Sequence, residues 1–387
     1  MSRLAIVLSH PTQYYSPWFR WLRAHTPLAF RVFYLWDFGV TKQRDPQFGT
    51  EFQWDVDLLS GYDHEFVPNV AHDPGTHHFG GLVNPSLRAR LQAWRPAAIL
   101  LFGYAYRTHL GLILRPPAPL IFRGDSHLID QEPSFAKKFV LRRLFARFAA
   151  VTYVGRANRD YFRRFGVPEA KLHFVPHCVD AGHFTRTPAI TAAAERLRAE
   201  LGLGTRQVVL FAGKFVPDKQ PLELLEAFLV LAPDDTALVF VGDGVLRAAL
   251  EARAHTRPDC VVRFLPFANQ SEMPARYALA DLFALPSRGL YETWGLAVNE
   301  AMHLGVPCLV SDRVGCQRDL VTDGETGWVF RATEPATLQT ALERALAALR
   351  GDRSAIHARV AARIAGYTYA TAADGLLAAC AQLGLVP

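Results

Sequence analysis

The chain has 387 residues, of which 50% are hydrophobic and 20% are charged. This composition excludes an intrinsically disordered chain, and the length allows two domains that each bury a core. The net charge is +6 and the five cysteines include no C-x-x-C pair, so no disulfide framework is indicated and we expect a reducing, cytoplasmic setting.

Short apolar runs alternate with helical patterns along the first half of the chain. The first run, LAIVLS from Leu4, is interpreted as a buried strand rather than a signal peptide. The runs that follow are FRVFYL, AAILLFG, PLIFRG and AVTYVG. This alternation predicts a parallel sheet covered by helices.

The second half repeats this alternation and predicts a second sheet. Its apolar runs are QVVLFAG, TALVFVG, VVRFLP, LFALPS and PCLVSD. The two sets together predict an α/β protein with two Rossmann-like sheets in tandem. Ligands of open α/β sheets bind at the carboxyl ends of the strands, so we expect the chemistry in a cleft between the two sheets. No apolar run reaches the ~18 residues of a membrane span.

A basic stretch lies at 137–148. Read as a helix, it has an apolar face opposite most of its basic residues; the apolar residues are Val140, Leu141, Leu144, Phe145 and Phe148, and the basic ones are Lys137, Lys138, Arg142, Arg143 and Arg147. Two interpretations stay open. The stretch is either a core-packed helix with a solvated back, or a docking face for anionic lipid headgroups or a lipid-linked acceptor at the inner face of the membrane. Nucleic acid is not expected, because no recognised binding motif accompanies the charge.

The segment from Leu285 to Phe330 contains two glutamates, Glu292 and Glu300, separated by Trp294-Gly295-Leu296 and flanking residues. The residues from Gly295 onward predict a helix that ends at Gly305. A helix start offers unpaired N–H groups and partial positive charge, which suit a phosphate. At about 1.5 Å of rise per residue, the two carboxylates would bracket that phosphate at roughly 10 Å separation. This span matches a sugar, a pyrophosphate and a ribose, so the segment predicts a nucleotide-sugar site.

Together with the preceding PS, the GVP turn and the DG-x-x-G segment, these residues resemble the donor-site signature of retaining glycosyltransferases of the GT-B type, in the large fourth sequence family. The resemblance implies two Rossmann-like domains facing across a cleft. Residues 179–184 resemble the family's interdomain segment, which implies an acceptor-side domain at 1–180 and a donor-binding domain at 181–364. The tail at 365–387 resembles the final helix that crosses back onto the first domain.

The implied activity is transfer of a sugar from a nucleoside diphosphate sugar to an acceptor hydroxyl with retention of configuration. The acceptor would be a glycan, a lipid-linked glycan or a small molecule, in polysaccharide or glycoconjugate biosynthesis. Two lysines on a loop before a helix, Lys214 and Lys219, would neutralise the departing diphosphate without a metal. No cofactor is expected.

Further roles in the donor site are carried over from the family. Glu300 is expected to hold the ribose hydroxyls and Glu292 to lie near the transferred sugar. Backbone N–H groups are expected to bind the sugar and phosphates; they belong to Thr293, Trp294, Gly295, Leu296 and Ala297. Lys214 stands where arginine is commoner, and Trp294 stands where phenylalanine is commoner, a change of bulk expected to reshape the sugar pocket.

The first domain is predicted to supply residues at the ends of two strands. Arg123, Asp125 and His127 follow the run PLIF and are expected to face the cleft. In related enzymes a residue here touches the donor sugar, and both Asp125 and His127 stay open for this role. With Lys219 and Glu292 they form the predicted catalytic set. Loop-capping roles are the alternative for both.

The loop after the first strand is predicted to lie on the acceptor side. Many relatives have glycines there, whereas this chain has His10, Gln13 and Tyr14. These side chains suit sugar stacking and hydroxyl recognition.

Several sequence patterns suggest other functions, but they match the corresponding motifs only weakly. Asp55-Val56-Asp57 matches a metal-binding DxD but precedes any nucleotide signature. Gly242-Asp243-Gly244 lacks the third glycine of a dinucleotide fingerprint, because Arg247 takes that position. The histidines at 72, 77 and 78 show no firm metal-site spacing. A nucleotide-sugar epimerase on the same scaffold, or a non-catalytic sugar-nucleotide-binding subunit, remain the alternative functions.

Overall fold

A computed structural model describes residues 3–40, 43–44, 51–52, 54–129, 131–288 and 292–385. Within them the chain forms two compact units. The first contains Met1–Gln43, Glu51–Cys178 and Tyr369–Pro387, and the second contains Val179–Thr368. Residues 289–291, inside the two-glutamate segment, lie outside the described residues.

Before residue 179, the described residues form nine strands and five α-helices. The strands are β1 (Arg3–Leu8), β2 (Ala29–Tyr34), β3 (Gln43–Arg44), β4 (Glu51–Phe52), β5 (His64–Phe66), β6 (Ala98–Phe102), β7 (Leu120–Arg123), β8 (Ala150–Tyr153) and β9 (Leu172–Phe174). The helices are α1 (Tyr15–His25), α2 (Leu87–Trp94), α3 (Arg107–Leu114), α4 (Phe135–Phe145) and α5 (Arg156–Arg164). Seven strands form one parallel sheet in the order β5-β2-β1-β6-β7-β8-β9.

Alternate residues of β1 divide the core of this unit into two layers, because successive side chains of a strand point to opposite faces. Leu4 and Ile6 pack in one hydrophobic cluster with Phe19 of α1. Ala5 and Val7 pack in the other, with residues of α2 to α5. The sheet is therefore covered on both faces, as parallel sheets require.

The described residues of the second unit repeat this plan with six strands and eight α-helices. The strands are β10 (Gln207–Ala212), β11 (Thr236–Val241), β12 (Val261–Leu265), β13 (Leu282–Leu285), β14 (Cys308–Ser311) and β15 (Gly327–Phe330). The helices are α6 (Pro188–Glu200), α7 (Pro221–Leu231), α8 (Arg247–His255), α9 (Met273–Ala278), α10 (Leu296–His303), α11 (Gln317–Leu320), α12 (Pro335–Leu349) and α13 (Ser354–Ile364). The parallel sheet has the order β12-β11-β10-β13-β14-β15.

The chain ends in a helix of the first unit, α14 (Tyr369–Gln382). Leu376 and Ala379 join the cluster of Leu4 and Ile6. Gly375 lies so close to β9 that a Cβ atom there would stand 1.8 Å from the Phe174 carbonyl oxygen. The helix therefore packs directly on the sheet of the first unit.

The apolar residues of helix α4 are not all buried, in contrast to the predicted amphipathic face. Leu141, Phe145 and Phe148 are buried as expected, but Val140 is 58% exposed. Val140 lies on the solvent side because one residue of helix turns the side chain by about 100° away from Leu141. Phe135 and Phe139 are exposed as well. Among the described residues, none of the helices is both long and apolar enough to cross a membrane.

Candidate functional site

The predicted helix after Gly295 is present as α10. Gly295 has φ 96° and precedes its first turn, where no side chain caps the backbone N–H groups. Only glycine adopts this conformation without strain, and a Cβ atom would lie 2.9 Å from Val314 Cγ1. The start of α10 therefore presents N–H groups and the positive end of the helix dipole, as an anion site requires.

A second glycine holds the segment before α10 in place. The N–H of Gly315 donates to the Glu292 carbonyl at 3.1 Å, and the N–H of Cys316 donates to the Trp294 carbonyl at 2.9 Å. A Cβ atom on Gly315 would stand 1.8 Å from the Thr293 carbonyl oxygen. The turn after β14 thus contacts the Glu292–Trp294 backbone closely. Sequence reasoning missed Gly315, although the glycine in RVGCQ was visible.

Two of the predicted residues meet at the carboxyl ends of neighbouring strands. Lys219 closes a 3₁₀ turn, Pro217–Lys219, after β10, and Glu292 follows β13. The Lys219 ammonium donates to the Glu292 carboxylate. Ser287 Oγ donates to the same carboxylate at 2.8 Å, and Ser287 is 1% exposed. A cation and a carboxylate are therefore fixed side by side.

Glu300 lies in the second turn of α10 and is buried, with 3% of its surface exposed. The Tyr277 hydroxyl donates to Glu300 Oε2 at 2.7 Å. Tyr277 belongs to α9 and packs against Phe283. Sequence reasoning did not identify Tyr277, because no motif marks a buried phenol that orients a carboxylate.

Trp294 does not present its ring to solvent, which corrects the expectation that its bulk reshapes a sugar pocket. The side chain is 3% exposed, its Nε1 donates to Asn299 Oδ1 at 2.8 Å, and its ring lies 6.0 Å from that of Tyr367. The indole fills the interior beneath α10. Only the backbone of residue 294 remains available to a ligand.

The Gly242-Asp243-Gly244 segment supports the lysine loop. A Cβ atom on Gly242 would lie 2.0 Å from the Gly213 carbonyl oxygen, and the Phe215 N–H donates to the Asp243 carbonyl at 2.8 Å. Lys214, between these contacts, is half-buried. The segment therefore packs against the backbone of the lysine loop. This structural role is consistent with the incomplete dinucleotide fingerprint.

Arg123 of the first unit was expected to face a ligand cleft, but its side chain lies in the interior. It is 3% exposed and donates to the Val175 carbonyl at 3.0 Å. Its guanidinium lies 5.4 Å from the ring centre of Tyr15 and 5.5 Å from that of Trp18. The charge is stabilised by aromatic faces and by a carbonyl, so Arg123 has a packing role.

Asp125 and His127 have different environments. The Asp125 side chain is 40% exposed and lies 3.4 Å from Nε2 of His177, a buried histidine whose pKa burial lowers. His127 is 8% exposed, and its Nδ1 accepts the N–H of Ile129 at 3.3 Å. Of the two, Asp125 is the residue that a ligand can reach. His177 was missed by sequence reasoning.

The loop after β1 places its three predicted side chains at the carboxyl edge of the first sheet. His10 packs against the rings of Trp36 and Phe38 at 5.7 and 5.5 Å, and burial lowers its pKa to about 4. Gln13 and Tyr14 are half-buried on the same loop. The neutral imidazole and its aromatic neighbours suit sugar stacking.

Asp57 is engaged in a turn. Its Oδ1 accepts the N–H groups of Leu59 and Ser60, and hydrogen bonds from Ser60 lower its pKa to about 2. Its Oδ2 lies 3.5 Å from Arg20. Asp57 of the Asp55-Val56-Asp57 segment therefore stabilises a local turn.

Comparison with known proteins identifies a family and several relatives. Residues 193–356 match the family described as glycosyl transferases group 1. The chain is 35% identical over 218 residues to a GDP-mannose-dependent alpha-(1-6)-phosphatidylinositol monomannoside mannosyltransferase of Mycolicibacterium smegmatis, covering 54% of this chain and 55% of the relative. It is 34% identical over 233 residues to a D-inositol 3-phosphate glycosyltransferase of Nocardia farcinica, covering 57% and 49%. The chain thus spans about half the length of the curated relatives it matches.

Solved structures share the fold over the whole chain. A complex of Anabaena Alr3699/HepE with UDP and glucose has a TM-score of 0.71 at 18% identity, covering 98% of this chain and 100% of that one. WaaG, a glycosyltransferase involved in lipopolysaccharide biosynthesis, has a TM-score of 0.66 at 18% identity, covering 98% and 100%. At these identities the likeness shows the fold alone.

Proposed function

We propose that this chain, whose residues 193–356 match the glycosyl transferases group 1 family and which has the GT-B fold, transfers a sugar from a nucleoside diphosphate sugar to an acceptor hydroxyl with retention of configuration. One observation carries the proposal. Lys219 and Glu292 are paired beside the uncapped start of α10, and Glu300 lies one turn further along that helix.

Each of these groups has a chemical task in such a transfer. The N–H groups of Leu296 and Ala297 bind phosphate oxygens, and Lys214 and Lys219 stabilise the negative charge that grows on the departing diphosphate. Glu300 accepts hydrogen bonds from the ribose hydroxyls. Glu292, oriented by Lys219 and Ser287, accepts hydrogen bonds from the transferred sugar.

The reaction we propose proceeds on one face of the sugar. The acceptor oxygen bonds to the anomeric carbon on the side from which the diphosphate leaves, as the bond from that carbon to the phosphate oxygen breaks. The acceptor proton passes to a phosphate oxygen of the leaving group. The protein contributes position and charge stabilisation rather than a strong base.

The first unit is proposed to bind the acceptor. His10, Gln13 and Tyr14 follow β1 at its carboxyl end, where open α/β sheets bind ligands. Asp125, which follows β7, is proposed to contact the donor sugar. The names of the relatives include phosphatidylinositol monomannoside and inositol 3-phosphate. We therefore propose an acceptor that carries a phosphate group, presented either on a lipid or in solution.

Helix α4 supports a lipid-borne acceptor. Phe135, Phe139 and Val140 are 85%, 50% and 58% exposed, and Lys137, Lys138 and Arg143 share the same helix. We call these six residues the α4 surface. Exposed aromatic rings among basic groups suit the interface of an anionic membrane, so we propose peripheral contact there.

The proposal is tested by incubating the untagged protein with GDP-mannose or UDP-glucose and with inositol phosphate or phosphatidylinositol vesicles. Release of the nucleoside diphosphate together with an α-linked product, read by NMR, is the expected result. Inversion at the anomeric carbon would contradict the one-face reaction. Sugar isomerisation without an acceptor would favour the epimerase instead.

A further inference from the structure

The loop between β5 and α2 gathers three metal-binding side chains outside the site described above. Asp73, His77 and His78 each offer a ligand atom, and these atoms lie within 4.8 Å of one another. His77 Nε2 stands 2.9 Å from Asp73 Oδ2, and His78 Nε2 stands 3.4 Å from the same oxygen. His78 Nε2 also lies 3.0 Å from the Asp73 carbonyl oxygen, so both imidazoles direct the same nitrogen at Asp73.

These separations match the coordination sphere of a small transition-metal ion. Zinc binds histidine nitrogen and carboxylate oxygen at about 2.0–2.1 Å, so neighbouring ligands of a tetrahedral ion stand roughly 3.3 Å apart. The two measured separations bracket that value. A site of two nitrogens and one carboxylate oxygen favours zinc, cobalt or nickel over magnesium and calcium, which prefer oxygen ligands alone.

The backbone holds the three ligands close before any ion binds. The Gly75 N–H donates to the Gly81 carbonyl at 3.1 Å, and the Gly81 N–H donates to the His78 carbonyl at 3.2 Å. A Cβ atom on Gly81 would lie 2.2 Å from the Gly75 carbonyl oxygen. The two ends of the loop are therefore in contact, so part of the ordering that metal binding requires is already in place.

The loop is also anchored to its surroundings. Asn69 Nδ2 donates to the Gly81 carbonyl at 2.8 Å, and the Tyr106 hydroxyl donates to the Thr76 carbonyl at 3.1 Å. The exposed fractions of the Asp73, His77 and His78 side chains are 64%, 55% and 40%. An ion from solution can reach them, and water can complete its coordination.

We propose that Asp73, His77 and His78 bind one divalent transition-metal ion of the zinc class. The site lies in the first unit, so it is separate from the lysine-based stabilisation of the diphosphate in the second. The ion would fasten the loop between β5 and α2. The sequence did not indicate this site, because two adjacent histidines with Asp73 four residues before His77 match none of the usual metal-binding motifs.

The test uses untagged full-length protein stripped of metal by a chelator and then freed of the chelator. Zn²⁺ is titrated calorimetrically, and Co²⁺ is titrated by visible absorption, which reports nitrogen-containing coordination of low symmetry. Wild-type protein is compared with His77→Ala, His78→Ala and Asp73→Asn. His255→Ala, an exposed histidine of α8, serves as the matched control.

The expected result is one saturable ion per chain, bound at least about tenfold more weakly in the three loop variants and unchanged in His255→Ala. Hydrogen exchange across residues 69–83 should slow on adding Zn²⁺ to the wild type and not to His77→Ala. Absence of saturable binding, or equal affinity in the loop variants, would overturn the proposal. Thermal melting in the chelator shows whether the variants fold, and equal melting temperatures make the comparison of affinities decisive.

Discussion

Lys219 and Glu292 form an ion pair although they stand 73 positions apart in the sequence. They meet because β10 and β13 are hydrogen-bonded neighbours in the second sheet, and each residue lies in the loop after its strand. The Arg288 N–H also donates to the Asp218 carbonyl at 3.0 Å. Parallel pairing of two strands thus assembles a cation and a carboxylate beside the start of α10.

Replacing Lys219 with alanine should lower turnover about 10²-fold or more, the usual scale for losing one fixed donor at a developing charge. The effect is measured by quenching reactions at set times and quantifying the nucleoside diphosphate released. Lys219→Arg keeps the charge and should lose less. Lys171→Ala in the first unit, whose ammonium bonds to the Phe148 carbonyl, should behave as wild type. Wild-type turnover in Lys219→Ala would show that Lys219 does not stabilise the departing diphosphate.

Replacing Tyr277 with phenylalanine should weaken nucleoside diphosphate binding, because the buried Glu300 carboxylate loses a hydrogen bond that fixes its orientation. A bond to a charged group contributes about 1.5–3 kcal/mol, so we expect roughly a tenfold loss of affinity or more by calorimetry. Tyr34→Phe is the matched control, since it removes a buried bond to the Tyr62 hydroxyl in the first unit. Equal affinities in the two variants would contradict the positioning role.

The long strands and the helix after Gly295 could be predicted from the sequence. All ten apolar runs singled out are strands, because runs of that length and apolarity cannot be left exposed. The short strands β3, β4, β5, β9 and β15 were missed; each has four residues or fewer. Their pairing depends on neighbours that periodicity does not show.

Side-chain direction was the part that local pattern did not predict. The side chains of Trp294 and Arg123 were expected to face a ligand, yet both are buried in the interior. Tyr277 of α9 donates to Glu300, and Gly315 of the turn after β14 donates to Glu292. Neither contact is between sequence neighbours. The contacts of all four follow from tertiary packing. The proposed roles of the donor and acceptor residues remain predictions.

Replacing Gly315 with alanine should disrupt the segment before α10, since the added Cβ would stand 1.8 Å from the Thr293 carbonyl oxygen. We expect loss of detectable nucleotide binding and a lower melting temperature. Gly366→Ala in the same unit has no atom within 4 Å of the added Cβ and should retain both properties. If Gly315→Ala binds nucleotide normally, the turn after β14 does not position the site.

Removing aromatic rings from the α4 surface should reduce membrane binding. The double variant Phe135→Ser, Phe139→Ser should bind phosphatidylglycerol vesicles at least about tenfold more weakly in sedimentation assays, because each buried ring contributes about 1.5–3 kcal/mol. Val230→Ser and Val245→Ser, exposed apolar sites of the second unit, are the controls. Equal binding by all variants, or equal binding to neutral vesicles, would exclude this surface.

Stability should fall in mild acid because His109 is buried without a hydrogen-bond partner among the described residues. Burial lowers its pKa from 6.5 to about 3. Above pH 6.5 both folded and unfolded chains hold it neutral. Between pH 6.5 and 3 only the unfolded chain takes up the proton, so stability decreases as pH falls, by about 2 kcal/mol at pH 5.

His109→Leu should remove that part of the pH dependence, as measured by urea unfolding at pH 7.5 and pH 5. The control is His25→Leu, an exposed histidine at the end of α1, which should leave the dependence unchanged. A loss of stability between the two pH values that is the same in His109→Leu and wild type would show that other groups cause it.

The most direct test of the central claim is calorimetric binding of UDP, GDP, ADP and TDP to wild-type protein and to Glu300→Ala, with a chelator present. The account predicts that one nucleotide binds tightly to the wild type, survives the chelator and is lost in Glu300→Ala, as expected for a site built from α10, Lys214 and Lys219. Binding of none of the four, or equal binding in the variant, would contradict it.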